Sequence, residues 1–135
     1  MRKFWPVLII TLIFFSSCVD RKTSFLIGKW EEVPRVVEPS RFYIWTFKDD
    51  NNFTIETYAI DSTDGEPMAV NEGEYNLDRK SMEFRLTLEL QQDMGGHPIN
   101  GEWWVDELDR TIFKMTRESA DSDGNPFVRY EFVKL

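Results

Sequence analysis

Four kinds of residue in this chain have types and spacings that could do chemistry. Cys18 is the lone cysteine and His97 the lone histidine. Carboxylates stand in adjacent pairs, Glu31-Glu32 and Asp106-Glu107. Asp121-Ser122-Asp123-Gly124-Asn125 spaces its side-chain oxygens as a calcium loop does. A zinc site needs several converging His or Cys ligands. A catalytic His needs a nucleophile and an orienting acid. Nothing beside His97, between Gly96 and Pro98, supplies either, so an exposed loop imidazole is expected. A glycosidase pair must flank one bond, with one carboxyl pKa raised. Neighbours on a strand point to opposite faces, so the adjacent pairs are poor candidates. A calcium loop wants Gly after the Asn and a closing Glu. Here Pro126 and Phe132 hold those places, and a turn is expected instead. Asp61, Asp64 and Glu66 form a second acidic loop, most simply a solvated tip. No catalytic residue, metal or cofactor is assigned, and no enzyme is expected.

Cys18 is set apart by what precedes it. Arg2 and Lys3 open the chain, an apolar run follows from Val7 to Phe15, and Ser16-Ser17 leads into the cysteine. That order reads as a cleaved export signal. The run falls short of the about 20 apolar residues that span a bilayer. Pro6 also disfavours one continuous helix. Phe15-Ser16-Ser17-Cys18 resembles the lipobox of bacterial lipoproteins, with Phe15 where Leu is usual. The resemblance implies a diacylglyceryl group on the Cys18 thiol, cleavage before it, and acylation of the new amine. An ordinary secretory signal with an unrelated cysteine is the alternative. One acyl chain holds only marginally, at about 0.8 kcal/mol per buried methylene, and several hold firmly. Residues 1–17 are thus read as signal, 18–25 as anchor and polar tether, and 26–135 as one domain. The resemblance places the protein in a bacterial envelope, as an outer-membrane lipoprotein facing the periplasm or the cell surface. No second thiol exists, so an internal disulfide is excluded despite an oxidising compartment.

The bulk composition bounds the partners. A chain of 135 residues builds one domain. Its formal charge is −8, and loss of Arg2 and Lys3 makes it two units more negative. Such a body repels nucleic acid and anionic membrane surfaces. Membrane contact is therefore expected through the lipid on Cys18. Aromatic residues make up 15% of the chain, too many for a disordered acidic segment.

From Leu26 onward the apolar residues alternate with period two, the signature of strands. Strands are predicted over 28–37, 41–48, 53–60, 69–77, 81–90, 101–108, 111–117 and 126–135. Turns are predicted at Asp49-Asp50-Asn51-Asn52, Asp78-Arg79-Lys80 and Asp109-Arg110. In the cleanest segment Met82, Phe84, Leu86, Leu88 and Leu90 face inward, and Glu83, Arg85, Thr87 and Glu89 outward. Short links make neighbouring strands antiparallel. Closing on itself removes the exposed edges of such a meander. The fold class expected is all-β, an up-and-down antiparallel β-barrel of about eight strands. A two-sheet sandwich is the alternative.

Gly28-Lys29-Trp30 is similar to the Gly-x-Trp of lipocalins. Phe47-Lys48-Asp49-Asp50 with Phe53, Gly73-Glu74-Tyr75-Asn76-Leu77 and Trp103 to Leu108 follow in order. Together they resemble the lipocalin-like domains of bacterial lipoproteins. The resemblance implies that Gly28 and Trp30 plug a closed barrel end. It also implies a basic residue of the last strand over the Trp30 ring, with Arg129 as the matching candidate. A barrel of this size either fills with side chains or holds one small ligand. Tyr43, Trp45, Tyr75, Phe84, Trp103 and Tyr130 are the candidate ligand contacts, at the mouth opposite Trp30. Two functions stay open. One is binding of a small apolar or amphipathic ligand. The other is a protein-interaction module, an inhibitor or assembly accessory, acting through loops 61–70, 91–100 and 119–126 over a filled interior. An empty interior above roughly 300 Å³ favours the first.

Overall fold

The computed structural model describes residues 19–61, 63–80, 85–92, 99–118 and 127–135. Cys18, Phe84, His97, residues 1–17 expected as signal and residues 121–125 expected as a turn lie outside the described residues. The strands are β1 (Gly28–Glu32), β2 (Arg41–Phe47), β3 (Asn52–Ala59), β4 (Ala69–Lys80), β5 (Arg85–Gln92), β6 (Gly101–Leu108), β7 (Ile112–Glu118) and β8 (Phe127–Lys134). Each pairs antiparallel with the next, and β1 pairs with β8, which closes an up-and-down barrel. The sandwich alternative is thereby set aside. A short helix, α1 over residues 19–26, precedes β1, so the segment read as a polar tether is helical.

The alternation places the core as expected. Tyr43, Trp45 and Phe47 lie directly opposite Thr57, Ile55 and Phe53. Phe113 and Phe132 stack at 4.9 Å, and Trp45 meets Phe132 edge-on at 5.1 Å. Trp30, Trp45, Trp103, Phe47, Phe53, Phe113 and Phe132 are fully buried. These large rings interdigitate and occupy the described interior.

Local chemistry makes the turns. The Asp109 carboxylate accepts from the amides of Thr111 at 2.7 Å and Ile112 at 2.8 Å. Asp50 accepts from the Asn52 amide at 3.1 Å, beside Asn51 at φ 64°. Asn tolerates that left-handed geometry better than most residues. Gly73 is required for space: a Cβ there would lie 2.4 Å from the Gln91 carbonyl oxygen and 2.8 Å from the Phe53 ring.

Four local expectations change. β1 ends at Glu32, before Pro34. Asp78-Arg79-Lys80 continues β4, because each residue has a partner on β5. Thr87 is buried on the outer face, where it lies opposite the broad Trp104 ring. β6 carries a bulge between Val105 and Glu107. The extra residue flips the phase, so Trp103 and Leu108, an odd and an even position, are both buried.

One end of the barrel is closed by α1 and the Gly28-Lys29-Trp30 strand start. The Trp30 indole donates to the Leu26 carbonyl at 2.7 Å, and both residues are fully buried. Lys22 donates to the Leu108 carbonyl at 2.5 Å, which ties α1 to β6. The cation over the Trp30 ring is Lys134, at 4.3 Å, and not Arg129. Arg129 has the outward phase of β8 and reaches Thr116 and Asp106 instead. Lys134 also donates to the carbonyls of Phe25 at 3.0 Å and Ile27 at 2.5 Å. Desolvation lowers its pKa. A Cβ on Gly28, at φ 125°, would lie 2.7 Å from the Lys134 ammonium.

Replacing Lys134 by Ala removes the ring contact and strips two carbonyls of a donor. Urea unfolding should show a loss of about 2 kcal/mol. A loss under about 0.5 kcal/mol, the size of an ordinary surface change, would mean the plug does not depend on this cation.

Candidate functional site

At the end opposite α1, the most unusual of the described residues is a buried acid. Glu32 follows Trp30 by two positions on β1, so it shares the inward phase. It is only 7% exposed. The Trp45 indole N–H donates to its Oε2 at 3.1 Å. Its Oε1 faces the Arg35 guanidinium at 4.0 Å, too long for a hydrogen bond. Burial pushes the Glu32 pKa above the ordinary 4.5, against the opposing pull of the Trp45 hydrogen bond and the Arg35 charge.

Arg35 comes from the 33–40 loop between β1 and β2. Its guanidinium lies over the Tyr130 ring at 4.2 Å and donates to the Tyr130 hydroxyl at 3.2 Å. Half of its side chain is exposed. The loop is held at its ends: the Val33 amide donates to the Glu131 carbonyl at 2.8 Å, and the Ile60 amide to the Ser40 carbonyl at 3.1 Å.

Two cavities meet at this point. One of about 170 Å³ is lined by Glu32, Arg35, Tyr43, Thr57, Asn71 and Tyr130, among others. A second of about 200 Å³ lies on the loop side, against Pro34, Val36, Pro39 and Phe42. Glu32, Arg35 and Tyr43 line both, so the Arg35 side chain stands where the two hollows adjoin.

The structure gathers some of the expected ligand contacts and separates others. Tyr43, Trp45 and Tyr130 line the mouth cavity. Trp103 stands behind Tyr130, edge-on at 5.3 Å, and carries the Arg117 guanidinium at 4.2 Å. Tyr75 is elsewhere: its hydroxyl donates to the Lys48 carbonyl at the β2–β3 turn. Phe84 lies outside the described residues. Glu32 and Arg35 are functional candidates that the aromatic pattern does not single out. The signal for Glu32 was present, since it continues the phase of Trp30. Arg35 lies outside any period, and only the loop path brings it to Glu32. Among the described residues no three His, Cys, Asp or Glu side chains converge as metal ligands. The buried Gln92 carboxamide has no hydrogen-bond partner among the described residues.

A carboxyl whose pKa is raised by folding binds its proton more tightly in the folded state. Stability then falls as pH rises above the unfolded value, until the folded pKa is passed. Above the folded pKa the full penalty of the buried charge stands. Glu32→Gln removes the charge, keeps an oxygen for the Trp45 indole, and leaves Arg35 solvated. Thermal melts should show a Tm several degrees higher for the variant at pH 7, with the gain vanishing as pH falls to about 4.5. A gain that does not change with pH would contradict a charged Glu32 as its cause.

The chain matches no protein-family model, no curated protein and no solved structure.

Proposed function

We propose that this protein is a lipid-anchored module of the bacterial envelope that binds a protein partner at the open mouth of a plugged, lipocalin-like barrel. The observation that carries this reading is the contrast between interior and rim. Large aromatic side chains occupy the described interior. The mouth cavity, at about 170 Å³, is below the size of a pocket for a drug-sized ligand. Apolar side chains are instead displayed around the mouth. Val37 is 100% exposed, and Val36, Ile60, Met68 and Val70 are each more than half exposed. The Ile60 amide bonds the Ser40 carbonyl and the Met68 amide bonds the Thr57 carbonyl, so these segments border one opening. Large exposed apolar patches mark interaction sites. Asp61, Asp64 and Glu66 flank them on the same β3–β4 loop and are exposed. That pairing fits a partner segment carrying apolar residues and positive charge.

The anchor geometry supports the same direction. α1 is docked at the closed end through Lys22 and Phe25. Lipid on the residue just before α1 would hold the closed end toward the bilayer and leave the mouth facing away. Among the described residues no helix is long and apolar enough to cross a membrane.

Two experiments test the two halves of this reading. Cys18→Ser should move the protein from the membrane fraction to the soluble fraction of its own cells. If the variant stays membrane-bound, the lipid anchor is refuted. For the mouth, a photo-crosslinking residue at position 36 should give a discrete protein adduct in those cells. The double change Val37→Asp with Met68→Asp should abolish that adduct while unfolding stability shifts by under about 0.5 kcal/mol per site. Persistence of the adduct, or stoichiometric lipid on the purified domain in native mass spectrometry, would return the function to a ligand carrier.

A further inference from the structure

We propose that the mouth cavity is a binding site for an organic cation, a guanidinium or an alkylammonium group, and that Arg35 occupies it in the absence of a ligand. Four observations converge. Glu32 is a nearly buried carboxylate whose Oε1 stands 4.0 Å from a half-exposed cation. Aromatic side chains share its cavity: Trp45 bonds it through the indole N–H, and Tyr43 and Tyr130 lie on the wall. Arg35 already demonstrates the chemistry, with its guanidinium over the Tyr130 ring at 4.2 Å. Arg35, with Glu32 and Tyr43, lines both this hollow of about 170 Å³ and a second of about 200 Å³, so trimming its side chain gives a ligand more room.

A carboxylate set among aromatic faces recognises cations by direct charge and by the ring quadrupoles. An anion beside Arg35 would meet repulsion from the Glu32 carboxylate. The chain charge of −8 adds long-range attraction for a cation. Arg35 is a weak occupant. Its ion pair to Glu32 is long and its side chain half-exposed, so beyond one hydrogen bond and one ring contact to Tyr130 little holds it. Among the described residues, the backbone bonds of its loop lie near the loop's ends. An incoming guanidinium can take its place on Glu32 and Tyr130 while Arg35 turns into solvent.

The cation could be a free small molecule or an Arg or Lys side chain of a protein partner. The second source deepens the interaction-module reading and rests on it. The cavity variants test the cation site, and the rim variants test that reading, so the two can fail separately.

The probes are ethylguanidinium chloride and the peptide acetyl-Leu-Arg-Leu-amide, with sodium acetate as the anion control at matched ionic strength. The readout is the NMR shift of the Trp45 indole N–H, which bonds Glu32 directly. Both cations should move it saturably. Arg35→Ala should tighten binding by about fivefold, and Glu32→Gln should weaken it by about tenfold or more. Tighter binding of the peptide than of ethylguanidinium would identify a partner side chain as the source, and equal binding a free cation. Three results would overturn the site: no saturable shift with either cation, weaker cation binding in Arg35→Ala, or acetate as the better ligand.

Discussion

The barrel depends on one seam. Trp30, Glu31 and Glu32 of β1 lie opposite Lys134, Val133 and Phe132 of β8. Bonds from Val33 to Glu131 and from Leu135 to Lys29 extend the contact at either end. Without that pairing both strands would present open rows of N–H and C=O groups, with their inward aromatics exposed to water. The seam also brings residues over a hundred positions apart into one contact. Lys134 can rest over Trp30 and donate to the Phe25 and Ile27 carbonyls only because β8 closes against β1. Gly28 leaves room for that ammonium, and its φ of 125° lets the chain turn from α1 into β1.

The same strand then serves two unlike environments. At the closed end its inward residue is Trp30, fully buried, with its indole N–H satisfied by Leu26. Two positions on, its inward residue is Glu32, buried with an incompletely paired carboxylate. A satisfied indole is packed at the first end, and a carboxyl is held against a desolvation cost at the second. Buried acids held this way are more common at binding sites than in plain cores. The outer surface carries its own order: Phe42 stacks on Tyr58 at 4.9 Å, and Arg85 lies over Trp104 at 4.8 Å. These are cross-strand and cation–π contacts that cover sheet rather than line a site.

Alternation made most of the fold legible. Trp45, Phe47, Phe53, Ile55, Tyr75, Leu77, Leu88, Leu90, Phe113, Met115, Tyr130 and Phe132 are all buried, as period two requires. It failed where a partner strand, rather than the strand itself, decides exposure. Thr87 is polar and outward, yet Trp104 covers it. The Val105–Glu107 bulge shifts the phase, so Leu108 faces in against the local rule. α1 was missed because eight residues of mixed polarity carry little period, and its stability comes from docking onto the barrel. The site was less legible than the fold. Aromatic counting found Tyr43, Trp45 and Tyr130, but it also swept in Tyr75, which bonds the β2–β3 turn. It passed over Glu32, because adjacent acids look like ordinary solvated surface.

The sequence by itself determined the strand count, the inward faces, the turn chemistry of Asp50 and Asp109, and the exclusion of a disulfide. Those follow from local rules: period, backbone preference and the count of thiols. Only the tertiary structure decided that Lys134 reaches the Trp30 ring, and that Glu32, Arg35 and Tyr130 share one cavity. Arg129 and Lys134 are both basic residues of β8, and alternation gives Lys134, not Arg129, the inward phase of Tyr130 and Phe132. The closed seam then sets that phase beside Trp30, while Arg129 reaches outward to Asp106. Contacts between residues far apart in the chain are set by closure and register, and neither is written in any short stretch of sequence.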